Sequence, residues 1–187
     1  MTSWKQKLRI MHNYNQSAHV YDTQYSEEQE AKIKTLVQNL ALKHDSTVLD
    51  VGCGTGLLVK HLVGKTEFLA GIDISRGLLK EAKRKAEVHH NAALVQADAD
   101  HMPFPNQTFD AIFAITLLQN MPNLKEALNE IKRVSKPPAT IVVTGLRKRF
   151  TEDNFARLLQ QVGLRIEMLR LDESNREYVC ICRKAQR

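Results

Sequence analysis

The stretch Val48-Leu49-Asp50-Val51-Gly52-Cys53-Gly54-Thr55-Gly56 decides the fold. A short apolar strand runs into three alternating glycines, and a helical pattern, Leu57 to Leu62, begins at once. Glycine at a strand-to-helix turn takes backbone angles that other residues avoid, and it lets a ligand approach the main chain. The helix that follows opens with unpaired N–H groups. Such a turn is a cradle for a small molecule.

Its spacing narrows the choice of ligand. A dinucleotide fingerprint reads G-x-G-x-x-G, with an acidic residue about twenty positions on. Here the glycines read Gly52-x-Gly54-x-Gly56, so the third comes one residue early and Leu57 holds the expected slot. Asp50 at the strand's end would repel a pyrophosphate at close range and suits a ligand carrying positive charge. No Gly-Lys-Ser/Thr follows, which excludes a phosphate P-loop. Cys53 has no histidine or other base beside it in sequence and reads as a small filler rather than a nucleophile.

Asp50 to Gly56 resembles motif I of the class I S-adenosylmethionine-dependent methyltransferases, and further landmarks of that family follow in order. Phe68 to Ile72 reads as a strand ending in Asp73-Ile74-Ser75, like the family's acidic residue that binds the ribose hydroxyls. Ala92 to Val95 leads to Gln96-Ala97-Asp98-Ala99, where the family places the aspartate that accepts from the adenine amine. Met102-Pro103-Phe104-Pro105-Asn106-Gln107-Thr108-Phe109-Asp110 is similar to the family's lead into its fourth strand. The resemblance covers residues 45–135. It implies an α/β, Rossmann-like three-layer sandwich: a mostly parallel seven-stranded sheet with an antiparallel C-terminal hairpin. It implies S-adenosyl-L-methionine as cofactor, bound by Asp50, Gly52, Gly54 and Gly56 from the glycine loop. Asp73, Ile74, Asp98, Ala99 and Ala114 would complete the site from the next strand ends. Tyr14 to Asp22 resembles the family's N-terminal segment that folds over the cofactor, which adds Tyr21. Residues 1–26 then form an arm or lid, and 27–187 the methyltransferase domain.

Composition fits one ordinary globular domain: 187 residues, 43% hydrophobic and 26% charged. No run approaches the roughly 20 apolar residues of a membrane span, and the basic N-terminus lacks a signal peptide's apolar core. No membrane partner and a cytoplasmic location are expected. Cys53, Cys180 and Cys182 form neither a disulfide framework nor a zinc pattern, and His89-His90 has no partner at metal spacing, so no metal site is read. The net charge of +6 is compatible with an anionic partner.

Residues 1–26 read as helix-poor, whereas Glu27 to Lys43 carries Ile33, Leu36, Val37 and Leu40 at helical spacing. Ser75 is suited to cap a helix reaching Val88. Ala111 to Ile115 is the fourth strand, and Asn123 with Glu126 resembles a capping box before the helix Leu124 to Val134. A strand at Thr140 to Thr144, a helix from Thr151 to Val162 and strands Leu164 to Leu171 and Glu177 to Arg183 follow, the last two joined by a turn at 172–175.

Ligands of an open α/β sheet gather outside the carboxyl ends of its strands. Gln119 and Asn120, in the loop after the fourth strand, are therefore the candidates to orient the methyl acceptor. Arg147, Lys148 and Arg149 follow the fifth strand and place three cations at the same mouth, where they would attract phosphates. The arm Trp4-Lys5-Gln6-Lys7-Leu8-Arg9 adds charge beside an aromatic able to stack. On these grounds the expected substrate is RNA, methylated on a base nitrogen of ribosomal or transfer RNA. Nitrogen is favoured because the acceptor loop offers no evident base; His101 and Tyr21 are the remaining candidates. Against RNA, the loop lacks the Asn/Asp-Pro-Pro-aromatic motif of the family's amino-nitrogen enzymes. A small-molecule acceptor stays open, as does a partner-dependent or inactive cofactor-binding subunit, since some small members of the family need a small zinc-binding activator protein.

Overall fold

A computed structural model of the chain describes residues 3–38, 40, 42–86, 90–172 and 176–184, with the side chains of 3, 19–29 and 31 outside the described set. Seven strands form one sheet: β1 (Thr47–Val51), β2 (Phe68–Asp73), β3 (Ala92–Gln96), β4 (Phe109–Ala114), β5 (Ser135–Leu146), β6 (Leu164–Asp172) and β7 (Glu177–Lys184). Their order is β3-β2-β1-β4-β5-β7-β6. The pairs from β3 to β5 are parallel, and β7 runs antiparallel to both neighbours. This is the expected Rossmann-like sheet with its C-terminal hairpin. The hairpin's turn at 173–175 lies outside the described residues.

Period-two alternation sends side chains to the two faces of the sheet. Leu49, Val51, Ile112, Ala114, Ile141 and Val143 join one core, beneath α4 (Leu124–Val134) and α5 (Glu152–Gln161). Val48, Ala111, Phe113 and Val142 join the other, with Ile33, Leu36 and Val37 of α1 (Ser3–Gln38) and Leu58, Val59 and Leu62 of α2 (Leu57–Leu62). Three layers result. Helix α3 (Arg76–Ala86) starts as expected: the Leu78 N–H donates to Ser75 Oγ at 3.2 Å. Asn123 does sit at the start of α4, but its side chain makes no capping bond. The capping box belongs instead to α5, between Thr151 and Asn154.

The N-terminus departs from the sequence reading. Residues expected to be helix-poor form the first half of α1, a single helix of 36 residues, about 54 Å long at 1.5 Å per residue. It passes through position 26 without a break. The apolar rule failed because this half is anchored by polar side chains. Lys7 pairs with Asp98 and Asp100 beyond β3, and Asn15 Oδ1 accepts from Ser75 Oγ and the Gly77 N–H, both at 2.8 Å. Trp4 and Leu8 meanwhile face solvent, 56% and 39% exposed. Helix α1 thus lies across the carboxyl edge of the sheet. No helix among the described residues is long and apolar enough to cross a membrane.

Candidate functional site

The carboxyl ends of β1, β2, β3 and β4 open into a cleft of about 730 Å3, its mouth included. The glycine loop forms one wall. Gly52, Gly54 and Gly56 all take positive φ, 74°, 55° and 77°, so each uses the freedom that only glycine has at low cost. Their reasons differ. A Cβ on Gly54 would meet nothing within 4 Å, leaving this segment of backbone bare to the cleft. A Cβ on Gly52 would strike Leu117 Cδ1 at 2.8 Å. A Cβ on Gly56 would lie 3.0 Å from Ala82 Cβ, so this glycine lets α2 pack on α3 and does not line the cleft.

Asp73 braces the loop. Its Oδ2 accepts from the Gly54 N–H at 2.9 Å and its Oδ1 from the Ser75 N–H at 2.8 Å. Burial pushes its carboxyl up, against the pull of those backbone donors. Ile74, Asp98 and Ala99 line the cleft beside it. Ala114 does not: it is fully buried in the core, and Ile115 is the residue that reaches the cleft wall. Asp50 sits beneath the loop, in a smaller hollow shared with Gly52, Cys53 and Gly54. Burial first, and then the nearby charge of Asp73, push its carboxyl up to about 8.

That shift has a readable sign. Between pH about 4 and 8 the native chain keeps a proton on Asp50 that the unfolded chain releases, so the unliganded protein loses stability as pH rises through this window. A cation bound above Asp50 favours the carboxylate, so affinity for a cationic ligand should rise with pH, by at most about tenfold per unit, and level off above about 8. Calorimetric titration across this range checks it, and Asp50→Asn should flatten the profile.

The loop between β4 and α4, residues 115–123 and called loop four below, carries unusual strain. Thr116 has φ 58°, an outlier for a β-branched residue. Its N–H donates to Thr144 Oγ1 at 2.8 Å, and its carbonyl accepts from Gln119 Nε2 at 2.8 Å and Asn120 Nδ2 at 3.3 Å. Asn120 Nδ2 also donates to Tyr14 Oη of α1, at 3.0 Å. Both amides sought as acceptor-orienting groups therefore stand on loop four, but only Asn120 lines the cleft. Gln119 Oε1 is buried and has no partner among the described residues.

Arg147, Lys148 and Arg149 are all exposed, and Arg149 also donates through Nη1 to the Gln119 carbonyl at 2.6 Å and through Nη2 to the Met121 carbonyl at 3.4 Å. Arg149 holds loop four in place. Tyr21 lies among the side chains outside the described residues.

Sequence reasoning missed Lys7, Ile10 and Tyr14, which line the cleft from α1. Burial disfavours the Lys7 ammonium, yet its hydrogen bonds to Asp100 and Asp98 prevail and hold its pKa above the usual lysine range. It also missed a buried ion pair, Lys32 Nζ to Glu177 Oε2 at 2.7 Å, from which Lys32 reaches Thr116 Oγ1 at 3.1 Å. Among the described residues no group of histidine, cysteine and carboxylate side chains is placed to hold a metal ion.

Residues 49–143 match the family model described as a methyltransferase domain. The chain belongs to this methyltransferase family. The demethylmenaquinone methyltransferase of Staphylococcus saprophyticus is 36% identical over 112 residues, 58% of this chain and 48% of the relative. That of Bacillus licheniformis is 31% identical over 137 residues, 72% and 58% of the two chains. The chain thus spans about half the length of the curated relatives it matches. A chain of the Haloferax volcanii complex between the Trm112 methyltransferase activator and a methyltransferase shares the fold at TM-score 0.83, with 14% identity, over 92% of this chain and 98% of that one. A SAM-dependent methyltransferase from Aquifex aeolicus does so at TM-score 0.74, with 21% identity, over 82% and 89%.

S-adenosylmethionine is the methyl donor of this methyltransferase family, and the cleft fits it on the chain's own geometry. Gly54 leaves bare backbone where a ligand can approach, and the walls carry Asp73 and Asp98, acceptors for hydroxyl and amine donors. Beneath the loop the buried Asp50 carries no ion-pair partner among the described residues, a site that a cationic ligand would complement.

Proposed function

We propose that this methyltransferase transfers the methyl group of S-adenosylmethionine, in the cytoplasm, to a small acceptor with an apolar body. The observation that carries this reading is the acceptor end of the cleft. It is roofed by α1 and lined by Ile10, Leu117, Met121 and Pro122, with the Asn120 amide as its fixed polar group. A largely apolar cavity with a few placed polar groups is what small-molecule sites use. Its neighbour Arg149 is committed to loop carbonyls, which weakens the phosphate-binding rim on which an RNA base acceptor depends. Relatives named for demethylmenaquinone add support for a small molecule. The donor supplies an already activated methyl group; the protein's task is to align the acceptor behind the methyl–sulfur bond, worth roughly 7–11 kcal/mol of barrier. In that scheme Asp73, Asp98 and the glycine loop hold the donor, Asn120 orients the acceptor, and the first half of α1 is the lid.

The test is incubation with methyl-labelled donor and, separately, a small-molecule extract of cells and total RNA. Label is expected in the small-molecule fraction; label confined to RNA overturns the reading and restores methylation of a base nitrogen.

A second reading, dependence on a small activator subunit, draws on one further observation. Among the described residues edge strand β3 pairs only with β2, and it carries the apolar run Ala92-Ala93-Leu94-Val95, next to the exposed Phe68. An apolar edge of this kind is a template for strand addition by a partner. The structurally similar Haloferax volcanii chain comes from a complex with a methyltransferase activator. Turnover that appears only when such a subunit is added would favour it.

A further inference from the structure

Lys7 belongs by sequence to a basic arm that would face an anionic partner, yet its side chain is 7% exposed and lines the cleft. Its Nζ donates to Asp98 Oδ2 at 2.7 Å and to Asp100 Oδ2 at 2.5 Å. An ammonium has three hydrogens, so one is left beyond those two carboxylates. Asp98 in turn takes the Asp100 N–H on Oδ1, at 3.1 Å, but a carboxylate offers about four lone-pair sites and can accept again. The cleft wall therefore presents a fixed acceptor and a fixed donor side by side. Apolar packing does not explain the arrangement, because Trp4 and Leu8 on the same turns of α1 face solvent.

An adenine edge is the complement of that pair. It offers an exocyclic amine that donates, next to a ring nitrogen that accepts. A purine with oxygen in place of the amine offers the reverse, a carbonyl that accepts beside a ring N–H that donates, so its carbonyl would face the Asp98 carboxylate and its N–H the Lys7 ammonium. We propose that Lys7 and Asp98 together read the adenine of the cofactor, Asp98 accepting from the amine and Lys7 donating to the adjoining ring nitrogen. The first half of α1 is then part of the cofactor site as well as its roof. Asp100, whose side chain is 1% exposed, is the positioning residue that holds the ammonium in line. The inference rests on the assignment of S-adenosylmethionine to this cleft.

Calorimetric titration of the full chain with S-adenosylhomocysteine and with its 6-oxo analogue, S-inosylhomocysteine, tests it. The wild type should prefer the adenine ligand by about 100-fold or more, since a site built to pair polar groups rejects a mismatched analogue strongly. Lys7→Met should weaken the adenine ligand about 10- to 100-fold, the worth of one charge-assisted bond, and weaken the 6-oxo ligand less, so that the preference shrinks. Unchanged or tighter adenine binding in Lys7→Met overturns the proposal, because Lys7 would then only be occupying Asp98. If Lys7→Met does not fold, Lys7→Met with Asp100→Asn removes one negative charge along with the ammonium, and the same comparison is made there. Asp98→Asn separates the two layers of the argument. Absence of any S-adenosylhomocysteine binding by the wild type removes the cofactor assignment, whereas weakening by Asp98→Asn without weakening by Lys7→Met removes only the role of Lys7.

Discussion

Asp73→Ala is expected to reduce affinity for S-adenosylmethionine by about 10²- to 10⁴-fold. In the proposed donor site the carboxylate accepts from both ribose hydroxyls, and hydrogen bonds to a charged group are worth about 1.5–3 kcal/mol each, or about 3–6 kcal/mol for two. The same side chain also accepts from the Gly54 and Ser75 N–H groups, so its removal frees the glycine loop and leaves two backbone donors unpaired. Asp73→Asn separates these effects. An amide oxygen can replace one acceptor, but the NH2 group cannot accept from the Gly54 N–H, so an intermediate loss is expected. Calorimetry measures both variants, with thermal melting of the unliganded proteins as the control for loop damage. Binding by Asp73→Ala within threefold of the wild type would remove Asp73 from the donor site.

What could be read from the sequence follows from which forces write themselves into local patterns. The glycine loop was legible because positive φ at Gly52, Gly54 and Gly56 restricts residue choice directly. The central strands were legible because apolar runs at β1, β2 and β4 mark strands buried on both faces. The first half of α1 was not, because its inward positions are Lys7, Ile10, Tyr14 and Ala18, a face that mixes a charge and a phenol with only two aliphatic side chains. Tertiary polar contacts hold that segment, and a periodicity count is blind to them. The partners of Arg149 were hidden for a related reason. Three adjacent cations look alike in sequence, and only the fold directs Arg149 onto the carbonyls of Gln119 and Met121. The sequence also places Gly56 with the cofactor, because glycines that meet a ligand and glycines that meet a helix read identically.

The buried pair of Lys32 and Glu177 leads to the other large expected effect. Lys32→Met should destabilise the protein by about 3–5 kcal/mol, because it leaves a carboxylate buried without its counter-ion. For a domain of this size that is a fall in Tm of about 6–20 °C. The side chains are 1% and 2% exposed, so solvent offers Glu177 no relief. Lys32→Met with Glu177→Leu should recover most of the loss, since replacing both charges by apolar groups of similar volume is often neutral; the double-mutant cycle gives the coupling directly. A loss below about 0.5 kcal/mol in Lys32→Met would show that water or another group already serves Glu177. The pair also has a place in the chemistry. Lys32 anchors the second half of α1 over the site and donates to Thr116 Oγ1, and Glu177 Oε1 accepts from that same hydroxyl at 3.3 Å. Thr116 is the strained residue whose carbonyl holds the Gln119 and Asn120 amides. Strain of this kind persists only where its surroundings over-determine it. The double variant, stable but lacking that support, should therefore bind the donor as the wild type does while its turnover falls, because the relaxed loop no longer fixes the acceptor behind the methyl group.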